Sequence, residues 1–376
     1  MVHGLTDARQ PVPGGISALF ASIGERPWAG FMVFAAVHAA IWTILPFALY
    51  PNLPLDLIEA LAYGREWQLG YDKLPPLPWW LVEVAYRAFK SDFAYYALGQ
   101  ISVLSAFAAV WALMLRLGSP VAAAASVLLV DGLHFFNFTS PKFNHDVAQL
   151  PFWALAGLSF HGALRTGRLG HWALLGVAFG LAFWAKYFVV VLMLPLVLFT
   201  LFDPGARRAL STPGPYVAAA IALAIMAPHL IWLHQNDWLP LNYVASRAKA
   251  TTGLLDHFTR PTSFALAQLF WLLPVIFIAL PLLRRRRGGD ATKADDLDRR
   301  IIGLLAFGPA ITVIAGSALS GRGLITMWGY PLWLFLGCWI VVSLSSRIDR
   351  ASMARVAGVW GAVMVCYVSS FVVQYA

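Results

Sequence analysis

Charge is scarce in this chain. Of 376 residues, 12% are charged and 60% are hydrophobic, and the mean hydropathy is +0.69. Soluble domains carry about 25% charged residues. A soluble globular protein is therefore excluded, and an all-α multi-span membrane protein built as one embedded domain is expected. Cysteine is scarcer still. Cys338 and Cys366 both lie in apolar runs, which argues against a disulfide framework or a cysteine-built metal site and leaves two small buried hydrophobes. HExxH, a Walker loop, a nucleotide-binding glycine fingerprint and a strand-borne GxSxG are all missing. No internal or inverted repeat is visible, which weakens a secondary-transporter reading. Residues 1–27 are polar and contain Pro11, Pro13 and Pro27, with no short apolar core before a cleavage site, so the first span is expected to stay as an anchor.

What the chain does have is apolar length. A span needs roughly 20 apolar residues. Eleven segments qualify: 28–49, 93–115, 120–138, 147–164, 171–185, 187–202, 215–233, 263–283, 301–319, 326–345 and 355–374. Read as one helix, 171–202 would run about 48 Å, too long for a hydrocarbon core of roughly 30 Å, so a break at Lys186 is expected.

The basic residues agree. With residues 1–27 cytoplasmic, the inner loops carry Arg116; Arg165 and Arg168; Arg207 and Arg208; Arg284 to Arg287, Lys293, Arg299 and Arg300; then Arg347 and Arg350. The formal net charge of +9 is then mostly a cytoplasmic-face signature and calls for no nucleic acid. The loop 284–300 reads as a flexible charged linker, and its four arginines also suit contact with anionic membrane lipids.

The outer connections carry the chemistry. In the outer connection 50–92, residues 52–78 hold the acids Asp56, Glu59, Glu66 and Asp72, the cations Arg65 and Lys73, and Pro75-Pro76. Over 53–69, Asp56, Glu59, Tyr63 and Glu66 fall on one helical face, an acidic stripe on an interfacial helix. The stripe is either a solvated surface or the source of a general base, with Asp56 first. A second amphipathic segment follows at 79–90. Lys73 suits a phosphate as a point charge, or snorkels to lipid headgroups. Lys142-Phe143-Asn144-His145-Asp146 opens the fourth span, and Lys186-Tyr187 sits at the broken hairpin. Ionisable residues at such places are functional candidates by default. The loop from His229 to Pro261 includes Arg247 and His257, each a weak candidate alone, and Arg322 offers one more anion contact. Asp131 and His134 read as a buried polar pair or a functional one. An outer-face site without a nucleotide motif points to a membrane-borne activated substrate.

At these residues the chain resembles the GT-C superfamily of polytopic glycosyltransferases, closest to the bacterial branch of the family 39 type, which includes protein mannosyltransferases and lipid A sugar transferases. Asp56 precedes Gly70-Tyr71 by fourteen residues, Pro75-Pro76 follow, and the similarity runs on through TSPKFNHDVAQLPFWAL, GLAFWAKYFVVVLMLP and PHLIWLHQNDWLP. The resemblance implies two juxtamembrane helices in the first periplasmic loop and a site facing the periplasm in the bacterial inner membrane. It implies inverting transfer of a hexose or pentose from a polyprenyl-phosphate donor to a lipid or surface-glycan acceptor, such as lipopolysaccharide. By position Asp56 resembles the base, Asp146 the second acid, and Lys186 a lysine near the donor phosphate. Glu59, Tyr71, Asp72, Lys73, Asn144, His145, Tyr187, His257 and Arg322 are the expected substrate contacts. No cofactor is expected and no metal is indicated, although some members of the superfamily use a divalent ion. The chain departs from its relatives at Leu57, where many have Glu, and at Leu74, where many have His or Lys. No soluble C-terminal domain is expected after the last span. A flippase for lipid-linked sugars is the alternative from another class, and an inactive scaffold a third reading. A flippase would spread charge through the membrane depth, whereas here it gathers at one face.

Overall fold

The structure, a computed structural model, describes residues 25–283, 292–345, 348 and 350–376. The polar N-terminal segment up to residue 24, the Arg284–Arg287 cluster and Arg347 lie outside the described residues. Among the described residues, fifteen α-helices can be named in chain order: α1 Pro27–Leu49, α2 Leu55–Gly64, α3 Leu77–Phe89, α4 Asp92–Leu117, α5 Pro120–Asp131, α6 His145–Ala148, α7 Leu150–Thr166, α8 Leu169–Ala185, α9 Val190–Phe202, α10 Gly214–Gln235, α11 Leu239–Arg247, α12 Asp256–Leu283, α13 Asp296–Ser320, α14 Leu336–Ser343 and α15 Arg350–Tyr375. Helices dominate because hydrocarbon offers the backbone no partners outside the chain. Six of them are long and apolar enough to cross a membrane: α1, α4, α10, α12, α13 and most of α15. The protein is thus an all-α, multi-pass membrane protein.

The expected eleven spans do not all appear as continuous helices. At Lys186 the backbone is extended (φ −164°, ψ 133°) between α8 and a short 3-10 turn, Tyr187–Val189, so the expected break is present. The segment 120–138 is α-helical only to Asp131; a 3-10 turn, His134–Phe136, follows, and Asn137 folds back so that its amide nitrogen donates to the carbonyls of Asp131 and Leu133. Segment 326–345 departs most. A 3-10 turn, Thr326–Gly329, leads through further turns to the eight residues of α14. The cause is Gln268 of α12. Its amide donates to the Thr326 carbonyl (3.0 Å) and accepts from Trp333 Nε1 (3.0 Å). Gly329 lies so close that a Cβ there would sit 2.0 Å from Gln268 Oε1. Irregular backbone at membrane depth is tolerated where protein covers it, and residues 329–338 are buried.

Two other expectations are corrected. Asp131 pairs with His38 of α1 (3.1 Å) and accepts from Trp360 Nε1 of α15 (2.8 Å), while His134 stacks on Trp271. The described part of the 284–300 linker is ordered: Lys293 N–H donates to the Leu117 carbonyl (2.7 Å), and a capping box at Asp295 starts α13.

The polar ends of the bundle are distinct. Arg165 at the C-terminal end of α7 meets Asp295 (2.6 Å), His161 meets Asp298 (2.9 Å), and Arg300 meets Asp203 (2.7 Å). Asp146 lies just before the other end of α7, whose 17 residues span about 25 Å. The candidate site is therefore at the end opposite the basic loops. There α2 and α3 pack together, with Gly64 of one set close against Trp79 and Glu83 of the other. The Tyr63 ring stacks on Trp79, with centroids 4.5 Å apart and planes at 13°. These are the two expected juxtamembrane helices.

Candidate active site

Six chain segments converge on one cavity of about 310 Å³: α2, the stretch from Leu74 to Trp79 at the start of α3, the turn into α6, the break at Lys186, α11 and the 325–328 strap. Asp56 in the first turn of α2 supplies an exposed carboxylate at its edge. The acidic stripe is real as far as Tyr63; Glu66 lies past the helix end, hydrogen-bonded to Gln68 (2.6 Å).

Asn144 sets the position of Asp56. Its side-chain oxygen accepts from the backbone N–H groups of Asp146 (2.9 Å) and Val147 (3.2 Å), capping α6. Its amide nitrogen donates to Asp56 Oδ2 (2.9 Å). His145 Nε2 donates to the Pro75 carbonyl (3.0 Å), tying α6 to the Pro75-Pro76 turn, and its ring meets Trp79 edge-on at 4.9 Å. Burial drives the His145 pKa down to about 3, so the ring is neutral at physiological pH.

Behind Asp56, Lys186 Nζ lies 2.5 Å from Asp146 Oδ1, with both side chains nearly buried. Burial pushes the Asp146 carboxyl up, and the Lys186 ammonium opposes that shift. A helix continued through residue 186 would leave no extended backbone from which this lysine reaches Asp146. Tyr187 hydrogen-bonds His229 Nε2 of α10 (2.8 Å), and His229 Nδ1 donates to the Leu69 carbonyl (2.5 Å). With Nδ1 protonated, Nε2 accepts from the tyrosine hydroxyl, and the tyrosine oxygen is left as an acceptor.

Of the residues singled out in the sequence, Asp56, Glu59, Asn144, His145, Asp146, Lys186 and Tyr187 line this cavity together. Tyr71, Asp72 and Lys73 do not line it. Tyr71 is buried against Trp79 and donates to the Tyr63 carbonyl (2.7 Å), while Asp72 accepts from the Tyr63 hydroxyl (3.0 Å). Gly70, next to Tyr71, admits the close approach of Trp232 from α10, whose ring a Cβ there would overlap. Lys73 pairs with Glu59 (3.0 Å), and that carboxylate raises its pKa. His257 and Arg322 stand away from the cavity, bound to the carbonyls of Ala318 (2.7 Å) and Ala245 (3.4 Å). In their place α11 brings Tyr243, Val244 and Arg247 to the wall, and Ile325, Met327 and Trp328 complete it. Arg247 forms no ion pair among the described residues. Buried His229 was the least visible member in the sequence; its signal was a histidine next to Pro228 inside an apolar run.

Residues 73–232 match the family described as dolichyl-phosphate-mannose-protein mannosyltransferase. Two relatives from Rhizobium johnstonii are each 25% identical to the chain. The lipid A galacturonosyltransferase RgtD aligns over 257 residues, 66% of this chain and 52% of its own. The lipopolysaccharide core galacturonosyltransferase RgtB aligns over 339 residues, 84% of this chain and 65% of its own. The crystal structure of ArnT from Cupriavidus metallidurans bound to undecaprenyl phosphate superposes with a TM-score of 0.65 at 17% identity, covering 90% of this chain and 64% of that one. The chain thus spans between half and two thirds of the length of these proteins. The matched segment and the relatives make the chain similar to membrane glycosyltransferases, and its architecture is that of the GT-C fold.

Proposed function

We propose that the chain transfers a sugar from a polyprenyl-phosphate donor to a lipid or surface-glycan acceptor, with inversion, at the periplasmic face of the inner membrane. The observation that carries this reading is the convergence of Asp56, the Lys186–Asp146 pair and Arg247 on one cavity, at the end of the bundle opposite the basic loops. The fold neighbour bound to undecaprenyl phosphate and the two lipid-glycan relatives support the donor and acceptor classes.

Inversion needs a base on the acceptor hydroxyl, on the face opposite the leaving phosphate. Asp56 fits that task. It is exposed to water, and Asn144 holds one of its oxygens while the other accepts no hydrogen bond among the described residues. The leaving phosphate needs positive charge as its own charge develops. Arg247 carries an unneutralised one, and Lys186 supplies donors whose charge is offset by Asp146. Asp146 already has this ammonium as its counter-ion, so the reading assigns it no metal. The apolar wall of Val191, Ile325, Met327 and Trp328 suits a prenyl chain. Asp56→Asn is expected to abolish transfer to an acceptor glycolipid, by at least a hundredfold, while decaprenyl phosphate still binds. Full transfer by that variant would sink the assignment.

A further inference from the structure

A second hollow of about 350 Å³ opens beside the first, more exposed to solvent and lined by Tyr50, Asn52, Pro54, Lys142 and Tyr375 among others. One residue lines both hollows, and it is Asp56. This placement has a chemical meaning. A base that deprotonates an acceptor must reach the acceptor hydroxyl at the place where that hydroxyl's oxygen meets the sugar's reacting carbon, the junction of the acceptor and donor sites. A carboxylate shared by two separate hollows meets that requirement without moving.

The contents of the two hollows differ in the way two substrates would require. The first holds an apolar wall, a neutralised buried ion pair and Arg247. The second holds Lys142, half-buried and without an ion-pair partner among the described residues, and the Tyr50 hydroxyl, buried beside Tyr375. Tyr50 and Tyr375 meet edge to face at 4.7 Å and form an aromatic wall of the kind on which a sugar ring packs. The only carboxylate lining this hollow is Asp56 itself.

We propose that this second hollow is the acceptor subsite and that it takes an anionic glycolipid, with Lys142 as the counter-ion of its phosphate or carboxylate. The inference rests on the transferase reading above. In the transfer, the acceptor oxygen bonds to the sugar's anomeric carbon as the bond from that carbon to the phosphate oxygen breaks. The electron pair leaves with the polyprenyl phosphate, and the acceptor's proton passes to Asp56.

The test measures binding to the full chain in nanodiscs. The probes are decaprenyl phosphate, diphosphoryl lipid A, glucuronosyl diacylglycerol, and monoglucosyl diacylglycerol as the neutral control. Lys142→Gln is expected to weaken at least one anionic glycolipid about tenfold, as loss of a charge-assisted contact does, and to leave decaprenyl phosphate unchanged. Lys142→Arg should restore binding, and Lys90→Gln, the same charge change elsewhere, should alter nothing. Whichever anionic probe responds names the source of the charge. The proposal is overturned if Lys142→Gln binds both anionic probes as the wild type does, if it weakens decaprenyl phosphate instead, if Lys90→Gln shows the same loss, or if the neutral lipid binds the wild type as tightly. Failure of the wild type to bind decaprenyl phosphate would remove the transferase reading itself, and the subsite with it.

Discussion

Replacing Lys186 by methionine tests the centre of the site. The methionine keeps the length and most of the volume of the side chain but removes the ammonium. At 2.5 Å, and with an effective dielectric near 20, the attraction lost is about 7 kcal/mol. Desolvation of each ion offsets several kcal/mol of that, so the net cost of leaving one partner behind is about 3–5 kcal/mol. Asp146 would retain only the Gln149 amide at 3.3 Å. Burial already pushes its carboxyl up, so without the ammonium it takes a proton, which places the expected loss near the lower bound. The assay is reversible denaturant unfolding in mixed micelles followed by tryptophan fluorescence, for Lys186→Met, Asp146→Asn and the double variant. The double variant should lose at least about 2 kcal/mol less than the sum of the single losses, because it leaves no unpaired charge. Strictly additive losses would refute the pair as a coupled unit.

Three further outcomes follow from neighbouring contacts. Asn144→Ala removes the α6 cap, costing about 1 kcal/mol, and releases Asp56, so turnover should fall at least tenfold in a transfer assay with donor affinity retained. Because the His145 pKa is depressed from 6.5 to about 3, its contribution to stability is complete above pH 6.5 and is lost as pH falls toward 3; unfolding measured across that range should show the decline, and His145→Gln should flatten it. Gln268→Leu strands the Trp333 indole N–H and the Thr326 carbonyl and should cost about 1–3 kcal/mol in the same unfolding assay.

The parts of the fold that were legible in the sequence depend on local length and charge. The break at Lys186 follows from an apolar run too long for the bilayer with a cation at its middle. The helices of the first outer loop follow from periodicity between prolines. What stayed hidden is set by partners far along the chain. Nothing near Asp131 announces that His38, 93 residues earlier, reaches it before His134 does. Nothing in 326–345 announces that Gln268 holds it out of a helix. The site divides the same way. Asp56, Asn144, Asp146 and Lys186 stand at element ends where polar residues are costly. In the sequence Arg247, His257 and Arg322 are alike as polar residues between apolar runs, and only packing decides that the first faces the cavity while the other two bind carbonyls.

Asn144 has a consequence for the sequence space open to this chain. Its one amide serves two masters of opposite polarity, an oxygen for the α6 backbone and a nitrogen for the Asp56 carboxylate. Aspartate would keep the first bond and turn the second into repulsion. Serine caps a helix but is too short to reach across, and glutamine carries the amide one methylene too far to close the cap. A saturation library at this position, selected for activity, should therefore return asparagine almost alone.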